Sequence, residues 1–411
     1  AAFFTVAIRQ QIRIFESEKG RSPNEKETAE IRAQTLSTVR GTVQADQLKE
    51  SMGQNTLVLN LDTALKLMGD VAEFYVDNEV RNHYFVSISG YHIAEAGANP
   101  ITQAALTLSN GLTYVELFRA RGLDPNKFLR NFSWFFSNGM DPEYSVIGRV
   151  CRRIWAISMR EMYGVDERGQ KLKYHIQSSG RSLHAQEYTW NDYRTTMQAL
   201  YALADNANSL HTNSRDEAFG TPTEETVRDA VAIQLILSRE YGWLQNENPL
   251  QGSFIAEWLT DHVEEEILKV FEEMHRRGGV LGSLEVNYQR NRIQDESMLY
   301  EHKKHDGSLP IIGVNTFTDP DAEALTADNA DAFDMDVTRS DEEEKKMVIE
   351  RNRDFQEKHS EAAEEGLQKL KDAARNGENL FSVMMEIVEH CTVGQVTNAL
   401  FETGGKFRRN M

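Results

Sequence analysis

In the stretch SISGYHIAEAGAN, Ser87 to Asn99, an alternating run meets a glycine, then Tyr91 and His92, then the opening of a helix. An imidazole at such a strand end can donate a hydrogen bond to a carbonyl or carry a proton near neutrality. A lone histidine after a strand is more often structural than catalytic, so its surroundings have to decide. Comparable polar groups recur along the chain: Arg40, Thr42 and Gln44; Ser133, Ser137 and Asn138; Gln177, Ser178 and Ser179; His211, Thr212 and Asn213. Helix caps and loop backbones explain any one cluster as well as a ligand does. They explain all of them together much less well.

The elements that must position these groups repeat one theme: a short β-rich run, a polar or glycine-bearing loop, then an amphipathic helix. Strands are expected at Ser37–Gln44, Phe85–Ser89, Asn131–Phe136, Lys173–Ser178 and Asn208–Thr212. Strands separated by helices pair in parallel through right-handed crossovers, giving a sheet or barrel with ligands at the carboxyl ends of its strands. The polar clusters fall at those ends, which predicts a lined cavity rather than the Val/Ile/Leu filling of a buried parallel sheet. The chain opens as a helix already under way, turns at Gly20 to Asn24 and enters a second helix. After Trp258 the pattern changes to an amphipathic helix with a capping-box-like start at Asp261 and Glu264 and a stop at Gly278 and Gly279. Asp319 to Lys346 is acidic and reads as an exposed linker leading into a charged helix through about Ala374. These features divide the chain into residues 1–258, an α/β domain, and 259–411, a small helical subdomain with the acidic linker near 319–346.

A chain of 411 residues with 40% hydrophobic content can close a sizeable core. Its net charge of −19, from 64 acidic and 45 basic residues, argues against a general nucleic-acid binder, so any anionic ligand must meet a local cationic patch. Cys151 and Cys391 form no CxxC pair, and no apolar run approaches the roughly 20 residues of a membrane span. A soluble protein of the reducing cytoplasm is expected. No GxxxxGK[ST] loop is present, GGKF at Gly404 to Phe407 lacking its leading glycine and Ser/Thr. HExxH, GxSxG, GxGxxG and DxHxxG are likewise missing from suitable contexts. Hydrolase, kinase and dinucleotide readings have little to rest on.

Taken in order, RGTVQADQLKE, GQNT, SISGYHIAEAGA, FFSNGMDPEYS, QSSGRSLHAQE, SLHTNSRDEA, NPLQGS and GGKFRRNM resemble the substrate-binding portion of the adenosylcobalamin-dependent acyl-CoA mutases. The resemblance is nearest to the fused isobutyryl-CoA mutase group, in which a cobalamin domain, a G-protein domain and the mutase barrel share one polypeptide. It covers essentially the whole chain. It implies an α/β fold, the latter part of a TIM (β/α)8 barrel (about strands 4–8) followed by the helical C-terminal subdomain. The earlier strands, the cobalamin domain and the G-protein domain with its GTP and Mg would lie upstream, and relatives form homodimers.

The same resemblance implies the chemistry and the roles. Adenosylcobalamin supplies a radical, and the thioester carbonyl of an acyl-CoA migrates between adjacent carbons while the protein orients the substrate and excludes water. His92 matches the histidine that hydrogen-bonds the carbonyl, Tyr91 the ring beside the adenosyl group and acyl chain, and Gln44 a second thioester contact. Gln54 stands where methylmalonyl-CoA mutases carry an arginine for the substrate carboxylate. A buried carboxylate without a cation is strongly disfavoured, so an uncharged acyl group is expected and isobutyryl-CoA to butyryl-CoA is the preferred reaction. Coenzyme A contacts fall on Arg40, Tyr84, Ser133, Arg168 and Lys173, the adenosyl ribose on Glu240, and the guanine nucleotide of the fused enzymes near Glu285 and Asn410. Two alternatives stay open: a non-catalytic fragment that serves assembly or docking, and a methylmalonyl-CoA-type mutase, disfavoured by Gln54.

Overall fold

The side chain of Asn24 accepts the Glu27 N–H while the Glu27 carboxylate takes the N–H of Asn24, a reciprocal cap that starts a helix at Glu25. In the computed structural model, which describes residues 1–54, 56–242, 245–320 and 340–408, that helix follows a first one at Ala2–Lys19 and runs to Thr38. The hydroxyls of Ser37 and Thr38 bond back to the Gln34 carbonyl, so the expected strand Ser37–Gln44 shrinks to β1, Gly41–Thr42. A strand not expected from the sequence, β2 (His83–Tyr84), precedes β3 (Val86–Ser89); β3, β5 (Tyr174–Ser178) and β6 (Ser209–His211) lie on their β-rich runs, and β4 (Phe132–Asn138) extends two residues past the expected Phe136.

Among the described residues these six strands pair in parallel, β1 with β2 and then β3-β4-β5-β6 in chain order. Only Phe85 separates β2 from β3, so strand positions succeed one another along the sequence. Helices Leu61–Asp77, Pro100–Ala120, Ile147–Tyr163 and Asn191–Ala204 return the chain between them, and Glu224–Leu235 follows β6. The result is a mostly helical α/β arrangement around parallel strands.

The register sorts the strands into two unlike faces. Val86 and Phe132, then Ile88, Trp134 and Tyr174, then Phe136, Ile176 and Leu210 lie side by side and belong to the main core or pack against it. The opposite face carries Ser87 and Ser133, then Ser89, Phe135, His175 and Ser209, then Ser137, Gln177 and His211. Alternation at a period of two is what lets one strand serve a helix layer and a polar surface together. On the apolar side the indole of Trp134 meets that of Trp155 edge-on at 4.7 Å and sits against Gly111 of the helix Pro100–Ala120. A Cβ at Gly111 would stand 2.2 Å from the Trp134 ring. Alanine normally favours a helix interior over glycine by about 1 kcal/mol. Gly111→Ala is nevertheless expected to destabilise the protein by about 1–3 kcal/mol through overpacking, read as a lower urea midpoint at unchanged slope.

Beyond β6 the helix Phe254–His275 begins after Ser253, not at Asp261. Asp261 and Glu264 lie inside it and both pair with Arg153, so their spacing reflects an interhelical ion pair rather than a cap. Val263, Ile267 and Val270 of this helix join the main core. The charged run is two helices, Glu342–Lys358 and Ser360–Asn376, instead of one through Ala374; they part at His359, whose ring lies against Phe355 and faces His390. With Leu380–Ile387 and Val393–Gly404 the second of them builds a smaller core around Leu370, Val383, Ile387 and Leu400 that also takes in Leu59 and Ala64. Most of the acidic linker, 321–339, falls outside the described residues. Among the described residues no helix is long and apolar enough to cross a membrane.

Candidate functional site

Gly90 ends β3 with its N–H on the Phe135 carbonyl at 2.7 Å. A Cβ there would stand 2.5 Å from the Thr107 hydroxyl and 2.8 Å from Gln103, so only glycine lets the strand turn directly into the short helix Tyr91–Glu95. Tyr91 and His92, both half-buried, open that helix at the carboxyl end of the strand. The Tyr91 ring stacks on Phe135 at 4.8 Å and 5°, and His92 meets the same phenyl edge-on at 5.9 Å. Gln177 donates to the Tyr91 hydroxyl and to Asn213 Oδ1, each at 3.0 Å, tying the tyrosine to the ends of β5 and β6. Ser89 Oγ lies 2.7 Å from His92 Nδ1.

The loop after β1 is fastened to the same place by Asp46. Its carboxylate accepts the N–H of Ser89 at 2.9 Å, the Tyr114 hydroxyl at 2.6 Å and the N–H of Lys49 at 3.2 Å. Gln44, exposed, stands two residues before this anchor. The π-helical turn Glu50–Gln54 follows, and its Gly53 lies against the His92 carbonyl, a Cβ there falling 3.5 Å from that oxygen. Lys49, buried, pairs with Glu50 at 2.7 Å. With its amide nitrogen turned toward the carboxylate, the exposed Gln54 donates to Glu50 at 2.8 and 3.2 Å.

Charge at this end is held in check. Burial, then the nearby Lys49, pulls the His92 imidazole down to about 4 against an opposing pull from Glu50, so the ring is neutral at pH 7. Burial pushes the Tyr91 hydroxyl up, helped by Glu95 and Glu217, and burial likewise raises the Glu95 carboxyl. Glu95 accepts from Ser137 Oγ at 3.1 Å and from the N–H of Arg181 at 2.8 Å. His184 is also brought to about 4 by burial, Lys304 and Arg194. An unfolded chain protonates its histidines near pH 6.5, before the folded one does, so the stability these rings contribute is complete above that pH and drains away as pH falls toward about 4. His92→Gln is expected to flatten part of the acid decline in Tm, compared with the wild type over that window.

The expected residues divide between the two ends of the strands. Tyr91, His92 and the turn bearing Gln54 come together at the carboxyl end, and Gln44 lies in the loop leading to the same anchor. Arg40, grouped by sequence with the carboxyl ends, instead precedes β1, because the strand is shorter than expected. Ser133, grouped there too, is the second residue of β4 and donates to the Val86 carbonyl at 3.2 Å. Tyr84 lies in β2, Lys173 just before β5 and Arg168 in the turn before it. These five therefore mark the amino end, with Arg40, Arg168 and Lys173 exposed. Glu240 is exposed at the end of the π-helical turn Ile236–Glu240, and Glu285 is exposed at the end of the helix Gly279–Glu285. No hydrogen bond among the described residues joins either to the His92 group. Asn410 lies outside the described residues. No cluster able to hold a metal ion occurs among the described residues.

Sequence reading passed over Asp46, Lys49, Ser89 and Glu95. Asp46 carried a readable signal, an N-cap aspartate before Gln47. Its reach to Ser89 is a tertiary contact with no local trace.

The sequence pattern of the family described as methylmalonyl-CoA mutase matches residues 26–406. The chain is 57% identical over 411 residues to the fused isobutyryl-CoA mutase of Nocardia farcinica, covering all of this chain and 38% of that protein. Identity to the fused isobutyryl-CoA mutase of Geobacillus kaustophilus is 58%, again over all of the chain and 38% of the relative. The mitochondrial methylmalonyl-CoA mutase of Homo sapiens is 32% identical over 90% of the chain and 49% of its own length. The chain thus spans about a third of the length of the fused relatives it matches.

Proposed function

Because the chain belongs to the methylmalonyl-CoA mutase family, we propose that it is the substrate-binding part of an acyl-CoA mutase that converts isobutyryl-CoA to butyryl-CoA. The carrying observation is the polar strand face with a cationic set at one end and a neutral histidine at the other. From Lys173 to Ser178 the rise is about 17 Å at about 3.3 Å per residue, comparable with the amide-bearing arm of coenzyme A. Ser87, Ser133, Ser137, His175 and Gln177 offer small or hydrogen-bonding groups along that path. Arg40, Arg168 and Lys173 would meet the phosphates, with Tyr84 and Ser133 beside them. Residues 1–258 then supply strands 4–8 of a (β/α)8 barrel, and residues 259–411 the helical C-terminal subdomain.

At the carboxyl end His92 donates to the thioester oxygen and holds it as charge shifts during migration. Gln44 is the second thioester contact. Tyr91, fixed between Phe135 and Gln177, walls the acyl chain and keeps its reactive carbon in one orientation. The residues fit an adenosylcobalamin placed over this end: Glu95 and Glu217, the two carboxylates acting on Tyr91, are acceptors suited to the hydroxyls of an adenosyl ribose. Glu240 remains assigned to that ribose by family likeness. When bound, the cofactor supplies the radical that opens the reaction. Its own domain, and a G-protein domain with GTP and Mg that Glu285 and Asn410 would approach, lie outside this chain, and a cytoplasmic homodimer is the assembly we infer.

The test is turnover of isobutyryl-CoA to butyryl-CoA by the complete protein with adenosylcobalamin; its absence rejects the reading. Gln54 sets the acyl class through its neutral amide. Gln54→Arg is expected to tighten methylmalonyl-CoA, measured as a competitive inhibitor, by about tenfold, less than a free charge-assisted pair gives because Glu50 competes for the guanidinium. Unchanged inhibition would remove Gln54 from substrate choice.

A further inference from the structure

A neutral imidazole has one N–H and one lone pair, so the atom that faces a ligand depends on where the other nitrogen finds its partner. Among the described residues His92 Nδ1 has one partner, the Ser89 hydroxyl at 2.7 Å. Ser89 is fully buried, and its own N–H is committed to Asp46. The hydroxyl makes no other hydrogen bond among the described residues. If Nδ1 carried the proton and donated, the hydroxyl hydrogen would be buried without an acceptor; if the hydroxyl donates to Nδ1, that hydrogen is satisfied.

We propose that Ser89 is the positioning residue that fixes His92 in its Nε2–H tautomer, presenting a donor rather than a lone pair at the far edge of the ring. The geometry of the strand end makes this durable. Asp46 clamps the Ser89 backbone, Gly90 has no room for a side chain, and Phe135 backs the imidazole. The depressed proton affinity of the ring leaves it a single N–H at neutral pH, so the tautomer decides what it can offer. That Nε2–H meets a thioester carbonyl rests on the functional reading above. The tautomer does not.

The experiment is solid-state 15N–13C spectroscopy of the complete protein labelled at histidine, at neutral pH, with the His92 signal identified by its loss in His92→Gln. The expected spectrum shows Nδ1 unprotonated and Nε2 protonated. Ser89→Ala should bring in the Nδ1–H form and lower kcat about tenfold with little change in KM, the effect of losing one orienting hydrogen bond. Ser89→Cys, which keeps a weak donor and nearly the same volume, should fall between and guards against a folding defect in the alanine variant. A wild-type Nδ1–H signal, or a Ser89→Ala spectrum identical to the wild type, overturns the assignment. A protein with the Nε2–H form and no mutase turnover would sink the functional reading and leave the assignment standing.

Discussion

His92→Ala is expected to lower kcat for isobutyryl-CoA by about 10²-fold or more, the loss seen when a preorganised donor to a developing negative oxygen is removed. KM should move far less, because on the proposed function the coenzyme A end of the substrate would be held at the opposite end of the strands. The loss belongs to the reaction and not to folding. His92 is half-buried, and the Tyr91–Phe135 stack and the Asp46 anchor do not depend on it. Steady-state rates with adenosylcobalamin at saturation, beside a circular dichroism melt, separate the two. An unchanged kcat would take the imidazole out of the mechanism.

Asp46→Asn should have the largest effect on stability. The carboxylate is fully buried and takes three donors, from Ser89, Tyr114 and Lys49. An amide has one oxygen, so one donor would face an NH2 group, and a buried unmet donor costs about 1–3 kcal/mol. With the charge-assisted bonds also lost, a drop of about 2–4 kcal/mol is expected in urea unfolding. The damage should reach the site, since the same bonds hold the loop of Gln44 and the turn of Gln54 against the end of β3. A rise in KM for isobutyryl-CoA should accompany the lower midpoint. A loss below about 0.5 kcal/mol, the range of ordinary surface changes, would mean that the anchor is dispensable.

Much of this could be read from the chain. β-rich runs followed by Gly and polar residues located β3 to β6, and SISGYH marked the strand end where Tyr91 and His92 meet. What failed was decided by side-chain partners that the local pattern did not show. Ser37 and Thr38 read as the start of a strand, but their hydroxyls bond back to the Gln34 carbonyl and the helix runs through Thr38. Asp261 and Glu264 have cap spacing, yet Arg153 claims both. Arg40 and Ser133 moved to the amino end once the strand limits were fixed by pairing. Asp46 and Ser89, 43 positions apart, are joined by a bond that no local pattern announces.

The two-faced sheet has one more consequence. In most closed parallel barrels the interior is the cement, and altering it loosens the whole molecule. Here Trp134, Phe136 and Trp155 join the main core behind the strands, while on the opposite face Ser89 and Ser137 are buried and hydrogen-bonded and His175 and Gln177 stay half-buried. On the proposed function, the half-buried positions of that face are the ones open to exchange with the aromatic core left intact, a route by which the acyl group accepted would change without a change of fold.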